Sequence, residues 1–143
     1  MSRIKIELPG KFIFQTEIPI RITDINYGGH LGNDSLLSII HEARLRLLNH
    51  IGYSESNVEG IGIIMIDAGI QYKSEGFYGD ELLIEVAVTD FTSIGCDFVY
   101  RLSNKNSEKE IALAKTGIVF IDYEKRKTVP VPLEFKKKIE RMN

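Results

Sequence analysis

The sequence contains no tryptophan and a single cysteine, Cys96. One cysteine makes neither an intrachain disulfide nor a thiolate metal site, so the expected setting is reducing and cytoplasmic. No stretch approaches the ~20 consecutive apolar residues that a membrane-spanning helix needs. The opening MSRIKIELPG lacks the apolar segment of a secretory signal. Neither sign of charge dominates: 18 Lys and Arg against 20 Asp and Glu leave −2, without the basic footprint of a nucleic-acid binder. The one basic cluster, KKKIER near the carboxyl end, reads as the solvated face of a helix. Repeats, low-complexity stretches and linkers are missing too. What remains is 143 residues, 43% hydrophobic and 27% charged, which suits one domain over 1–143 with one core.

Residues 12–26 alternate as a strand does. Phe12, Phe14, Thr16, Ile18, Ile20 and Ile22 share one face, and Gln15, Glu17, Arg21 and Thr23 share the other. A regular strand carries Asp24 and Asn26 onto the core side, an unusual place for a carboxylate. Pro19, which has no N–H to donate, puts this strand near an edge. Three glycines among residues 27–32 then break the pattern, and Asn33 or Asp34 is a natural N-cap. The period changes to that of a helix reaching about Ile51, roughly 27 Å long, with Gly52 after it. Leu36, Ile40, Ala43, Leu47 and Ile51 make its apolar stripe, widened by Leu37, Ile39 and Leu48. Glu42 and Arg46 pair on the polar side, while Arg44 falls inside the apolar arc.

Four more strands follow, over 61–73, 82–88, 96–102 and 111–121, with hairpin connections at 93–95 and 104–110 and a final helix from about Pro132. The order predicts an α+β fold with an antiparallel five-stranded sheet wrapped around one long central helix. A helix about 10 Å wide cannot cover strands spaced ~4.8 Å apart. The sheet must curve, share its burial with a second subunit, or both, so a homodimer or homotetramer is expected.

The segment TDINYGGHLGND before the helix, HEAR on it and YKSEGFYGDELLIEV after it are the landmarks of a resemblance. Together they resemble the hotdog-fold thioesterases of the 4-hydroxybenzoyl-CoA thioesterase type over roughly residues 12–125. The resemblance implies a hotdog fold and the hydrolysis of an acyl-CoA or acyl-carrier-protein thioester without a cofactor. In that family's pattern a second aspartate follows the first by two positions and is the usual catalytic carboxylate. Here the first position is Asp24 and the second is Asn26. An amide is neither a useful base nor a nucleophile near neutral pH.

Thioester hydrolysis needs a group to activate water and donors for the oxyanion. A helix N-terminus supplies donors, and by the resemblance the backbone N–H of Asn33 polarises the carbonyl. His30 is the first candidate base, because imidazole titrates near neutrality. Asp24 is the second, but it lies ~6.6 Å along the strand from Asn26 and needs a bulge to re-aim it. Its structural alternative is to pair with Arg44 or to hold the glycine loop. Asn26 positions water or the carbonyl, or else serves the turn. No His, Asp or Glu set has metal-ligand spacing, Gly28-Gly29 is too short for a dinucleotide loop, and Cys96 sits mid-strand as a packing residue. Two other functions share the fold: a non-catalytic acyl-thioester-binding module, for which Asn26 argues, and a hydratase or dehydratase, whose usual Asp/His or His/Glu arrangement is not found.

Overall fold

The alternating runs pair as strands and the 3.6-period segment lies across them. The computed structural model describes residues 3–142. The chain forms β1 (Phe14–Pro19), a 3-10 turn (Ile22–Asp24), α1 (Asn33–His50), β2 (Gly62–Tyr72) and β3 (Glu81–Thr89). It continues through β4 (Gly95–Asn104), β5 (Glu110–Asp122), β6 (Lys127–Thr128) and α2 (Leu133–Met142). All pairings are antiparallel, in the order β1-β3-β4-β5-β2. The five expected strands are present, and β6 is an addition. It pairs Thr128 and Lys127 with Ile121 and Asp122, too short a ladder to show as a period.

The first strand is shorter than its alternation suggests. Ile18 and Ile20 are buried as the even row requires, but Ile22 is exposed because the chain has already left the sheet. Pro19 cannot donate to the ladder, and pairing ends with the Ile20 N–H on the Asp80 carbonyl at 2.8 Å. The chain then turns, because the Asp24 carboxylate accepts from the Arg21 N–H at 2.8 Å and from the Arg21 guanidinium at 3.3 Å. Asp24 is buried by this turn and not by strand parity.

Helix α1 begins one residue earlier than its polar residues suggest, with Gly32 as the N-cap. Neither Asn33 nor Asp34 caps it. A Cβ on Gly32 would sit 2.9 Å from Asp34 Oδ1 and 3.3 Å from Asn26 Cβ, so the approach to the helix requires glycine. At the far end Gly52 takes φ 91°, as expected of the residue after a helix. Its N–H donates to Asn49 O and the Tyr53 N–H to Leu48 O, and Lys138 Nζ donates to Ile51 O at 3.0 Å.

The apolar stripe of α1 packs on the sheet as its spacing predicts, except that Leu37 stays largely exposed. Arg44 is buried, but its partner is not Asp24. Its Nε donates to Glu55 Oε2 at 2.8 Å and its Nη1 to Tyr100 Oη at 3.3 Å. Burial alone would favour loss of the proton, yet Tyr100 and Glu55 hold the guanidinium above its ordinary pKa. Arg46 meets Glu42 as expected and also reaches Thr16 and the Glu17 carbonyl, tying α1 to β1.

Phe135 and Ile139 dock α2 against the core, with Phe135 stacked edge-on to Phe120 at 5.2 Å. On the other face Ile6 of the amino-terminal segment packs on Val99 and Leu113. Among the described residues no helix is long and apolar enough to cross a membrane.

Cys96 packs in the core on β4, where burial first and Asp97 second push its thiol pKa up. A thiol held neutral and enclosed does not react. Modification by a disulfide reagent is therefore expected to be about a hundredfold or more slower in the folded protein than in denaturant. Equal rates would show that β4 opens locally.

Candidate active site

Residues 25–32 form a closed loop held at both ends. Ile25 and Leu31 bridge across it, the Asn26 N–H donates to His30 O at 2.9 Å, and the Gly32 N–H donates to Asp24 O at 3.0 Å. Inside the loop Asn26 Oδ1 accepts from the Gly28 N–H at 2.9 Å and from the His30 N–H at 3.4 Å. Gly29 takes φ 84°, which lets so tight a loop close. The loop is fastened to the β2–β3 connection where the Leu31 N–H donates to Gly76 O at 2.8 Å.

That hydrogen bond sets the site. It brings the segment of His30, just before Leu31, to the segment of Glu75, just before Gly76. Both line a cleft of about 490 Å³ together with Asn26, Asn33, Leu36 and Tyr72. Three of the four residues singled out in the sequence are thus brought together: Asn26, His30 and Asn33. Asp24 is not. Its two oxygens are taken by Arg21 and it does not line the cleft. The expected pairing of Asp24 with Arg44 fails for the same reason; its carboxylate holds the Ile22–Asp24 turn, and only its backbone carbonyl reaches the glycine loop, at the Gly32 N–H.

The first N–H groups of α1 have no acceptor within the helix, and Asn33, the first residue of α1, lines the cleft. Asp34 stands in the same first turn. Partial burial first, and the Asp34 carboxylate second, push the Tyr72 phenol above its ordinary pKa. Ser74 also lines the cleft, but its hydroxyl donates to Glu110 O at 2.6 Å, which makes it a strut and not a nucleophile.

Glu75 escaped the sequence reading. It stands in KSEGFYGD among turn residues, where a carboxylate looks solvated. The backbone bond from Leu31 to Gly76, which joins two distant segments, brings it to the cleft that His30 also lines. Among the described residues no three His, Cys, Asp or Glu side chains gather as metal ligands would.

A histidine, a carboxylate and a helix N-terminus around one cleft are the parts that acyl transfer to water requires. The sequence profile of the thioesterase-like superfamily matches residues 20–139. The chain belongs to that superfamily. The hotdog architecture and the thioester-hydrolase activity expected from its sequence both follow from this membership. A 1,4-dihydroxy-2-naphthoyl-CoA hydrolase of Synechocystis is 27% identical over 124 residues, 83% of this chain and 88% of that protein. Solved structures share the fold. A 1,4-dihydroxy-2-naphthoyl-CoA thioesterase from Synechocystis superposes with a TM-score of 0.81 at 24% identity, covering 88% of this chain and 94% of that one. A DHNA-CoA thioesterase from Staphylococcus aureus gives 0.77 at 20% identity, covering 88% and 85%.

Asn26 offers a direct test of the site. Aspartate would keep both loop hydrogen bonds, since a carboxylate accepts as the amide oxygen does, so Asn26→Asp is expected to fold normally. Its charge, however, would oppose an oxyanion at the helix N-terminus and raise the pKa of the neighbouring imidazole. Steady-state hydrolysis at neutral pH should therefore fall about tenfold or more, roughly 1.4 kcal/mol of barrier. A tenfold gain instead would mean that Asn26 stands where a base has been lost.

Proposed function

We propose that the protein hydrolyses an acyl-CoA or acyl-carrier-protein thioester to the free acid and thiol, with His30 as the base. The observation that supports this reading is that His30, Glu75 and Asn33, the first residue of α1, line one cleft. In the proposed reaction His30 takes a proton from water as the water oxygen attacks the thioester carbonyl carbon. The oxyanion forms against the Asn33 N–H, an interaction of the kind worth ~10²–10³ in rate. Collapse breaks the C–S bond, and the imidazolium returns its proton to the departing thiolate. Glu75 is the carboxylate of the cleft that the Asn26 position lacks. Asn26 keeps the loop in shape and directs its amide group at the carbonyl or water. The relatives whose names specify an acyl-CoA favour coenzyme A as the carrier.

The protein acts as a homodimer, and no higher symmetry is needed to explain its surface. Among the described residues strand β2 pairs only with β5, and its outer side carries Ile64, Met65 and Ile66, which are 36%, 51% and 60% exposed. Such an edge is a template for another strand. Antiparallel pairing of two β2 edges about a two-fold axis would join the sheets and bring a second α1 beside the first.

Release of thiol from acyl-CoA separates a hydrolase from a binding module, which releases none. His30→Ala is expected to lower kcat by about 10²–10⁴. Glu75→Gln should lower kcat/KM, and unchanged kcat/KM removes Glu75 from the reaction. Unchanged turnover in His30→Ala removes it from the reaction.

The dimer has its own test. Met65→Lys puts a charge in the middle of the exposed edge, and light scattering is expected to show the dimer giving way to monomer. A native protein that is monomeric at micromolar concentration would refute the pairing.

A further inference from the structure

Two hydroxyls line the cleft, those of Tyr72 and Ser74, and only one of them is engaged. The Ser74 hydroxyl donates to Glu110 O at 2.6 Å. Three other phenols are engaged too: Tyr53 by Glu59, Tyr100 by Thr116 and Tyr123 by Ile63 O. The half-exposed phenol of Tyr72, the last residue of β2, has no hydrogen-bond partner among the described residues. An idle donor stands in the wall of the reaction cleft.

The β2–β5 ladder sets where that phenol stands. Tyr72 is paired with Ala112, and Ile70 with Ala114. Residues opposite one another in a ladder project to the same side of the sheet. Ala112 and Ala114 are fully buried in the main core, which α1 shares. Tyr72 therefore rises on the α1 side, with only a methyl group opposite it. There it meets the start of the helix. The Asp34 carboxylate acts on the phenol, second only to partial burial in raising its pKa. Asp34 follows Asn33, and the Leu36 N–H is the one that first finds an acceptor in this turn, at Gly32 O. Pairing along the β2 edge uses backbone groups in the plane of the sheet, so it leaves a side chain on the α1 face in place.

We propose that Tyr72 donates its phenolic O–H to the thioester carbonyl oxygen, as a second donor beside the Asn33 N–H, and holds that oxygen as it becomes the oxyanion. The proposal rests on the hydrolase reading above and adds a catalytic residue to it. A carbonyl oxygen has two lone pairs, and the charge it gains in the tetrahedral intermediate can be met by two fixed donors. Helix α1 offers one and the end of β2 the other. The proton stays on Oη throughout, so His30 has nothing further to restore. With its pKa above the ordinary phenol value, Tyr72 remains a neutral donor at every pH where an imidazole serves as base. Phenylalanine would build the same wall, so packing alone does not account for the hydroxyl.

Tyr72→Phe keeps the ring and removes only the O–H. That hydroxyl has no partner within the protein, so the variant should unfold at the native temperature. With acetyl-, hexanoyl- and benzoyl-CoA at neutral pH, kcat and kcat/KM should fall together by about 10²-fold or more, as for a donor used in the transition state. Unchanged kcat overturns the proposal, and so does a rise in KM with kcat held, which describes a ground-state contact. A lower unfolding temperature overturns it as well, because the hydroxyl then has a structural partner. Should no acyl-CoA release thiol from the native protein, the hydrolase reading fails separately. The donor is then read from the infrared carbonyl stretch of bound acetyl-CoA, isotopically labelled at the carbonyl carbon. Tyr72→Phe should move that band to higher frequency, and an unmoved band refutes the proposal.

Discussion

The bond from the Leu31 N–H to the Gly76 carbonyl joins two segments that are far apart in the chain. Everything chemical in the structure is arranged around it. On one side it fixes the glycine loop, whose closure by Asn26 and Gly32 aims the N-terminus of α1. On the other it fixes the turn between β2 and β3, where the Phe77 N–H rests on Asp80 Oδ2. Neither segment alone has a site. The loop offers an imidazole without a carboxylate, and the turn offers a carboxylate without a helix dipole. One backbone hydrogen bond contributes only about 1 kcal/mol to stability. Its importance here lies in the register it imposes on side chains that need to stand within reach of one another.

This explains which parts of the molecule could be read from its sequence. Strands β2 to β5, α1, its Gly52 stop and α2 follow from local period and punctuation, and they appear within a few residues of their expected ends. The early departure of β1 depended on a side chain, Asp24, capturing the backbone three residues earlier, which alternation does not express. Asn26, His30 and Asn33 were legible because they are neighbours in sequence on one loop. Glu75 was not, since a carboxylate among turn residues gains meaning only from the Leu31–Gly76 contact, which spans 45 positions. Leu37 belongs to the helix period and yet escapes the core, because the seam beside β2 has no strand beyond it.

The treatment of charge follows a similar division. Asp24 and Arg44 are both buried, and the simplest reading of two buried opposite charges is that they meet. They do not, because each finds a closer partner that its own element supplies. Arg21 is three residues from Asp24, and Glu55 lies in the connection that follows α1. Glu55 also accepts His41 at 2.6 Å, and His41 and Arg44 together hold its carboxylate below the usual range despite burial. Burying a charge costs several kcal/mol unless it is paired, so these local pairings let α1 carry a guanidinium into the core face.

The substitution at Asn26 then takes on a different meaning. In the pattern that the sequence resembles, one residue both shapes the loop and supplies the carboxylate. In this chain the two tasks are separable, because Asn26 Oδ1 already faces the backbone N–H groups of Gly28 and His30. An amide oxygen does that as well as a carboxylate, and it does so without placing a negative charge where an oxyanion forms. Glu75, which lines the same cleft, is the carboxylate that the site retains. A carboxylate at position 26 would instead oppose the oxyanion. The loss of the expected aspartate is thus compatible with hydrolysis, provided that Glu75 carries the charge.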